Sequence, residues 1–276
     1  MEAWLVNDFT PKKVRTSTLA EFKHQGRKIA CLTSYDALTA GIFDRAGIDV
    51  ILVGDSAADN VLGYTSTLPV TVEEMIPFGR AVAGACDRAL VVVDLPFGSY
   101  ETGPEDALAV SIRVMKSTNA SAVKLEGGTR SQSQIAAIVA AGIPVMGHIG
   151  FTPQSVNGLG GFKIQGRGED AEKLIHDALA VEAAGAFAVV LELVPAELAS
   201  EISKRLSIPT IGIGAGAGCD GQILVWTDFA GLHDGKPRKF VKQYANLASE
   251  LNLAATNYLK DVQAGTFPAS EHEFDA

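Results

Sequence analysis

Asp55, Ser56, Asp94, Lys124, Glu126, His148 and Glu192 are the residues of this sequence whose types and spacing could do chemistry together. They stand at or just beyond the ends of short apolar runs at 50–53, 90–94, 122–126, 144–149 and 188–193. One such residue alone is better explained as a helix cap or a carboxylate satisfied by its own loop. Consecutive runs all ending this way are different, because burying several charges together is offset only by pairing or by a metal. Asp55, Asp94 and Glu126 are hard oxygen donors with no Cys or His neighbour in their motifs, which favours Mg²⁺ over Zn²⁺. Such a cation keeps positions open for a bidentate 2-oxo acid. Lys124 lies two residues before Glu126, on the same strand face, where it could neutralise a substrate carboxylate or a developing enolate oxygen. Glu192 follows Val189-Val190-Leu191, and desolvation in such a run makes a carboxylate a more useful general base. Ser56 could donate to the substrate carboxylate. His148 reads as a hydrogen-bonder to substrate or carboxylate, or as a satisfied core histidine. The chemistry these groups fit is a metal-stabilised enolate.

Such residues need a frame that brings strand ends to one mouth. Eight apolar runs are predicted as strands, at 28–33, 50–53, 90–94, 122–126, 144–149, 188–193, 210–214 and 222–226. Most are continuous rather than alternating, as in parallel strands buried on both faces. Helical patterns lie between them at 37–46, 72–85, 104–116, 132–141, 170–184 and 196–205, with Thr71 and Pro195 as start signals. The alternation predicts an α/β fold, a single (β/α)8 barrel over 28–276, preceded by an extension over 1–27 with an extra N-terminal helix near 18–24. A closing helix is expected at 244–264. The stretch 215–221 is too short for a helix, and the long connection 54–70 is a candidate active-site loop.

Composition narrows the partners. With 23 Lys+Arg against 32 Asp+Glu, the chain carries −9, which gives no electrostatic footprint for nucleic acid or an anionic membrane surface. Three cysteines without Cys-x-x-Cys spacing indicate neither a disulfide framework nor a thiolate metal site. No apolar run approaches a membrane span, and no signal-peptide pattern is present, so a cytoplasmic location is expected. Gly216-Ala217-Gly218-Cys219-Asp220-Gly221 matches G-x-G-x-x-G in letters, but a strand follows it where a dinucleotide site needs a helix. The glycine-rich stretch 158–161 reads as a lid, a subunit contact or a surface turn.

Longer motifs carry a resemblance. Gly54-Asp55-Ser56, Ser66-Thr67-Leu68-Pro69-Val70-Thr71, Asp94-Leu95-Pro96-Phe97 and Val123-Lys124-Leu125-Glu126-Gly127-Gly128 resemble the ketopantoate hydroxymethyltransferase family. So do Gly147-His148-Ile149-Gly150-Phe151-Thr152-Pro153-Gln154-Ser155, Gly160-Gly161-Phe162-Lys163-Ile164-Gln165-Gly166-Arg167 and Leu191-Glu192-Leu193-Val194-Pro195. The resemblance implies a cytoplasmic, Mg²⁺-dependent enzyme of pantothenate and coenzyme A biosynthesis, assembled as a homo-oligomer, commonly a decamer. It implies hydroxymethyl transfer from 5,10-methylenetetrahydrofolate to 3-methyl-2-oxobutanoate. Asp55, Asp94 and Glu126 then match metal residues, Glu126 directly or through water. Asp55, Ser56, Asp94 and Lys124 match substrate contacts, and Glu192 matches the proton acceptor. One departure is Ala57-Ala58-Asp59-Asn60, where the family usually has an apolar stretch. Asp59 there either points to solvent or alters the metal site. Two other readings fit the residues less well: a Mg²⁺-dependent 2-oxo-acid lyase or mutase of the isocitrate lyase type, whose Lys-Lys-Cys-Gly-His-like loop is missing, and a non-catalytic oligomeric relative.

Overall fold

Short continuous apolar runs become parallel strands because neither of their faces is left to water. In order they are β1 (Ile29–Thr33), β2 (Val50–Val53), β3 (Leu90–Asp94), β4 (Ala122–Glu126), β5 (Val145–Gly150), β6 (Ala188–Glu192), β7 (Thr210–Ile213) and β8 (Gly221–Leu224). In this computed structural model, which describes residues 12–233 and 236–274, they pair in sequence order into a closed barrel. Every pairing is parallel, and β8 returns to β1. The expected strands at 50–53, 90–94 and 122–126 coincide with β2, β3 and β4. The last strand is a correction: it ends at Leu224, and Trp226, expected inside it, instead starts a four-residue helix.

The helices are α1 (Thr16–His24), α2 (Ala37–Arg45), α3 (Ala57–Asn60), α4 (Val72–Ala85), α5 (Pro104–Thr118), α6 (Gln132–Ala140), α7 (Asp170–Ala183) and α8 (Ala196–Arg205). α4 starts where Thr71 indicated: Glu74 N donates to Thr71 Oγ1 at 3.2 Å, and Thr71 N donates back to Glu74 Oε2 at 2.8 Å. This reciprocal box satisfies two amides that the first helical turn leaves open. α3, one turn within the 54–70 connection, was not expected, since four residues carry no readable period.

The barrel interior is packed, and α1 belongs to that packing. Val14 and Leu19 cluster with first or early strand residues including Ile29, Val50, Leu90, Ala122 and Ala188, and Phe22 rests on the same cluster. Lys23 Nζ ties the helix down, donating to Ser203 O at 2.8 Å and to Asp220 Oδ2 at 2.7 Å. The expected extra helix therefore stoppers the N-terminal end of the barrel, opposite the strand ends that carry the chemistry. Of the expected 1–27 extension, residues 1–11 lie outside the described residues. Leu19→Ala should lower the stability of the barrel by about 2–5 kcal/mol through the cavity it leaves, read as a shift of the urea midpoint, with activity at 25 °C intact. A loss below about 1 kcal/mol would mean that the helix is not part of the core.

A first compact unit runs to Val225 and a second starts at Trp226. The second holds α9 (Trp226–Phe229) and α10 (Leu247–Ala264), the latter at the place expected for a closing helix. Within it, Leu247 N donates to Ala230 O at 3.0 Å, and the Phe229 and Tyr244 rings lie 5.2 Å apart. Among the described residues, no helix is long and apolar enough to cross a membrane.

Candidate active site

Strand register decides which side chains meet. Asp94 on β3 is the cross-strand partner of Lys124 on β4, and Glu126 that of His148 on β5. All four are buried, as are Asp55 and Glu192. Lys124 Nζ lies 2.6 Å from Asp94 Oδ1. The other Asp94 oxygen, Oδ2, accepts from the Asp55 amide at 3.0 Å, joining the ends of β2 and β3. Asp94 Oδ1 accepts no aligned hydrogen bond, so its contact with Lys124 is a close ion pair. His148 stands between two carboxylates, with Nδ1 3.5 Å from Glu126 Oε1 and Nε2 3.3 Å from Glu192 Oε2. Its Nδ1 is also 3.5 Å from Lys124 Nζ. Five successive strands thus deliver to one mouth the residues that sequence singled out.

Ser56 is placed by a side chain that sequence reasoning did not select. The buried Tyr35 hydroxyl, 2.8 Å from Ser56 Oγ, receives a hydrogen bond from Thr33 Oγ1 at 3.1 Å. Burial is the main cause that holds the Tyr35 phenol above its ordinary range, so it stays neutral and able to donate. Gly54 must lack a side chain here: a Cβ would lie 2.8 Å from Ser56 Oγ and 3.5 Å from Asp94 Oδ2. Asp59 is exposed and accepts from Asn60 Nδ2 at 3.0 Å, and its charge is among the lesser causes that raise the Tyr35 phenol.

The sequence reading gave no role to three further features. Gln154 bonds both Asp55 and Glu126, through its side chain at 2.9 Å and its amide at 3.1 Å. Tyr100 OH donates to Gln154 Oε1 at 2.5 Å. Leu193, next after Glu192, has φ of +50°, a left-handed conformation that costs a bulky residue energy and marks functional sites. It is held by Leu193 N donating to Ile213 O and by Gln165 N donating to Leu193 O, both at 2.9 Å.

The electrostatics describe a pocket with surplus negative charge. Burial first, then the Asp94 and Glu126 carboxylates, push Asp55 up to about 8 against the pull of Lys124 and Gln154. Burial also raises Asp94, with Lys124 offsetting part of the effect. Burial alone would drive Lys124 down, but Asp94, Glu126 and Asp55 together outweigh it and keep the ammonium charged. In the same way burial and Lys124 press His148 down, while Glu126 and Glu192 hold it up to about 9. Four ionised carboxylates would exceed these two cations by an amount that a divalent cation neutralises; without one, the raised Asp55 carboxyl takes up a proton and with it part of the excess. Among the described residues, no group of three or more His, Cys, Asp or Glu side chains is gathered tightly enough to hold a metal unaided. Mg²⁺ takes one or two carboxylates and fills its octahedron with water and substrate oxygens. Beside this site a cavity of about 870 Å³ begins at Gly127, Gly150 and Thr152 and extends to Arg130, Lys173 and Asp177.

The family model for ketopantoate hydroxymethyltransferase matches residues 13–270. A 3-methyl-2-oxobutanoate hydroxymethyltransferase of Mycobacterium sp. (strain KMS) is 60% identical over 268 residues, 96% of this chain and 95% of the relative. One of Leifsonia xyli subsp. xyli is 60% identical over 265 residues, 96% of both chains. The chain belongs to the ketopantoate hydroxymethyltransferase family. It is therefore an enzyme, a hydroxymethyltransferase working on small molecules of the pantothenate pathway. Similarity to solved structures is one of fold. Phosphonopyruvate hydrolase in complex with oxalate and Mg²⁺ superimposes with a TM-score of 0.60 at 14% identity, over 95% of this chain and 92% of that one. For 2,3-dimethylmalate lyase, a PEP mutase/isocitrate lyase superfamily member, the TM-score is 0.59 at 15% identity, over 94% and 91%. The barrel fold of this family is thus shared with phosphonopyruvate hydrolase and 2,3-dimethylmalate lyase.

Proposed function

We propose that the enzyme transfers a hydroxymethyl group from 5,10-methylenetetrahydrofolate to 3-methyl-2-oxobutanoate through an enolate, forming 2-dehydropantoate and tetrahydrofolate. The carrying observation is the division of the buried site into two halves: Asp55, Asp94, Glu126 and Lys124 on one side of His148, and Glu192 on the other. Asp55 and Asp94 hold Mg²⁺, with Glu126 reaching it directly or through water. When bound, Mg²⁺ supplies Lewis acidity that lowers the energy of the enolate. Asp55, Ser56, Asp94 and Lys124 receive the oxo acid, with Lys124 and the Ser56 hydroxyl facing its carboxylate. Glu192 takes the C3 proton, and His148, 3.3 Å away, holds the Glu192 carboxylate and contacts substrate. The methylene carbon is bonded to two folate nitrogens: the electron pair left at C3 displaces one of them, water displaces the other and supplies the hydroxyl oxygen, and the protons given up by C3 and by the water end on the two nitrogens of tetrahydrofolate. Family membership supports a homo-oligomeric assembly, read as a decamer, in the cytoplasm. Phosphonopyruvate hydrolase, which shares the fold, was solved in complex with oxalate and Mg²⁺.

The test is exchange of the C3 proton of 3-methyl-2-oxobutanoate in D₂O, followed by NMR, with Mg²⁺ or with excess chelator. Exchange is expected with Mg²⁺ and a drop of about 10²-fold or more without it. Absence of exchange and of product in the presence of both Mg²⁺ and methylenetetrahydrofolate would sink the reading.

A further inference from the structure

The geometry assigns Gln154 as a positioning residue that, with Tyr100, sets the Asp55 and Glu126 carboxylates in place for the divalent cation before the cation arrives. This rests on the metal assignment just proposed. Gln154 lies in the short turn Pro153–Ser155 that follows β5, and its side chain is buried. From there it links three strand ends: Nε2 donates to Asp55 Oδ2 beyond β2 at 2.9 Å and to Leu95 O beyond β3 at 3.0 Å, and its own backbone N donates to Glu126 Oε2 on β4 at 3.1 Å.

The orientation of the amide follows from its neighbours. The Glu126 N–H can only donate, and it donates to Tyr100 OH at 3.2 Å. The tyrosine proton then goes to Gln154 Oε1, 2.5 Å away. The nitrogen end must therefore face Asp55 and the Leu95 carbonyl, both acceptors. Each of the two Nε2 hydrogens has its own acceptor, so the amide is fully used and locked. A relay of directed hydrogen bonds thus runs from the β4 backbone through Tyr100 and Gln154 to Asp55. One oxygen of Asp55 and one of Glu126 are held by this residue, and neither carboxylate can swing without breaking a buried bond. Buried carboxylates that would otherwise repel are held apart at fixed positions, so less ordering remains to be done on binding.

The test measures Mn²⁺ binding to the full-length protein without substrate, by EPR of free Mn²⁺, alongside the Mg²⁺ dependence of C3 proton exchange. Gln154→Met keeps the length and removes the amide; Tyr100→Phe keeps Gln154 and removes only the hydroxyl that orients it. Gln154→Met is expected to weaken Mn²⁺ binding about tenfold or more, and Tyr100→Phe about threefold, with exchange recovering towards the parent rate at high Mg²⁺. A purely structural role would lower the Tm of both variants and leave the Mn²⁺ Kd where it was. Variants binding Mn²⁺ within twofold of a parent that binds it well would overturn the positioning role alone. A parent that binds no Mn²⁺ would overturn the metal assignment with it.

Discussion

Replacing Glu192 by glutamine lowers C3 proton exchange on 3-methyl-2-oxobutanoate by about 10²–10⁴-fold, the range a positioned general base supplies. Binding of Mn²⁺ and the Tm stay near those of the parent. The reasoning is geometric. Glu192 ends β6 and lies across His148 from Glu126, Lys124 and Asp94, so its removal takes away the proposed base without disturbing the Asp94–Lys124 pair. Glutamine keeps an oxygen that His148 Nε2 can donate to, and the imidazole keeps its place. NMR of the substrate in D₂O reads the rate directly and needs no folate. A Glu192→Gln rate within tenfold of the parent would mean that Glu192 is not the base.

Lys124→Met has an expected effect of similar size, with a different signature. It removes the cation 2.6 Å from Asp94 Oδ1 and leaves that carboxylate buried without its counter-charge. Breaking one side of a buried pair costs about 3–5 kcal/mol of stability. The lost charge opposite the substrate carboxylate should also lower exchange by about 10²–10³-fold. The two losses separate in the double variant Asp94→Asn/Lys124→Met. With neither charge present, stability should return to within about 1–2 kcal/mol of the parent, while activity stays lost. Thermal unfolding and proton exchange on the four proteins of this cycle provide the check. A Lys124→Met protein with parental Tm would mean that Asp94 is paired by something other than Lys124.

Charge made much of the site legible. Asp55, Asp94, Lys124, Glu126 and Glu192 stand at the ends of apolar runs, and a barrel can only bring such ends to one mouth. Tyr100 and Gln154 were not legible for the converse reason. Neither is charged, both lie on loops, and their meaning depends on loop paths that put Tyr100 OH beside the Glu126 amide. No periodicity encodes that. The glycine motif after β7 runs into a strand, as expected, and its glycines have a steric cause. A Cβ on Gly216 would lie 2.5 Å from Ala196 Cβ, and one on Gly218 would lie 2.6 Å from Ser200 Cβ. The connection between β7 and β8 therefore presses directly onto α8. α3 and the true end of β8 escaped because one helical turn and the last residue of a strand leave no pattern in four letters.

The stopper formed by α1 divides the labour of the barrel. Leu19 and its neighbours fill the end away from the carboxylates. Substitutions there act on how firmly the barrel holds together, and substitutions at the opposite strand ends act on what it can do.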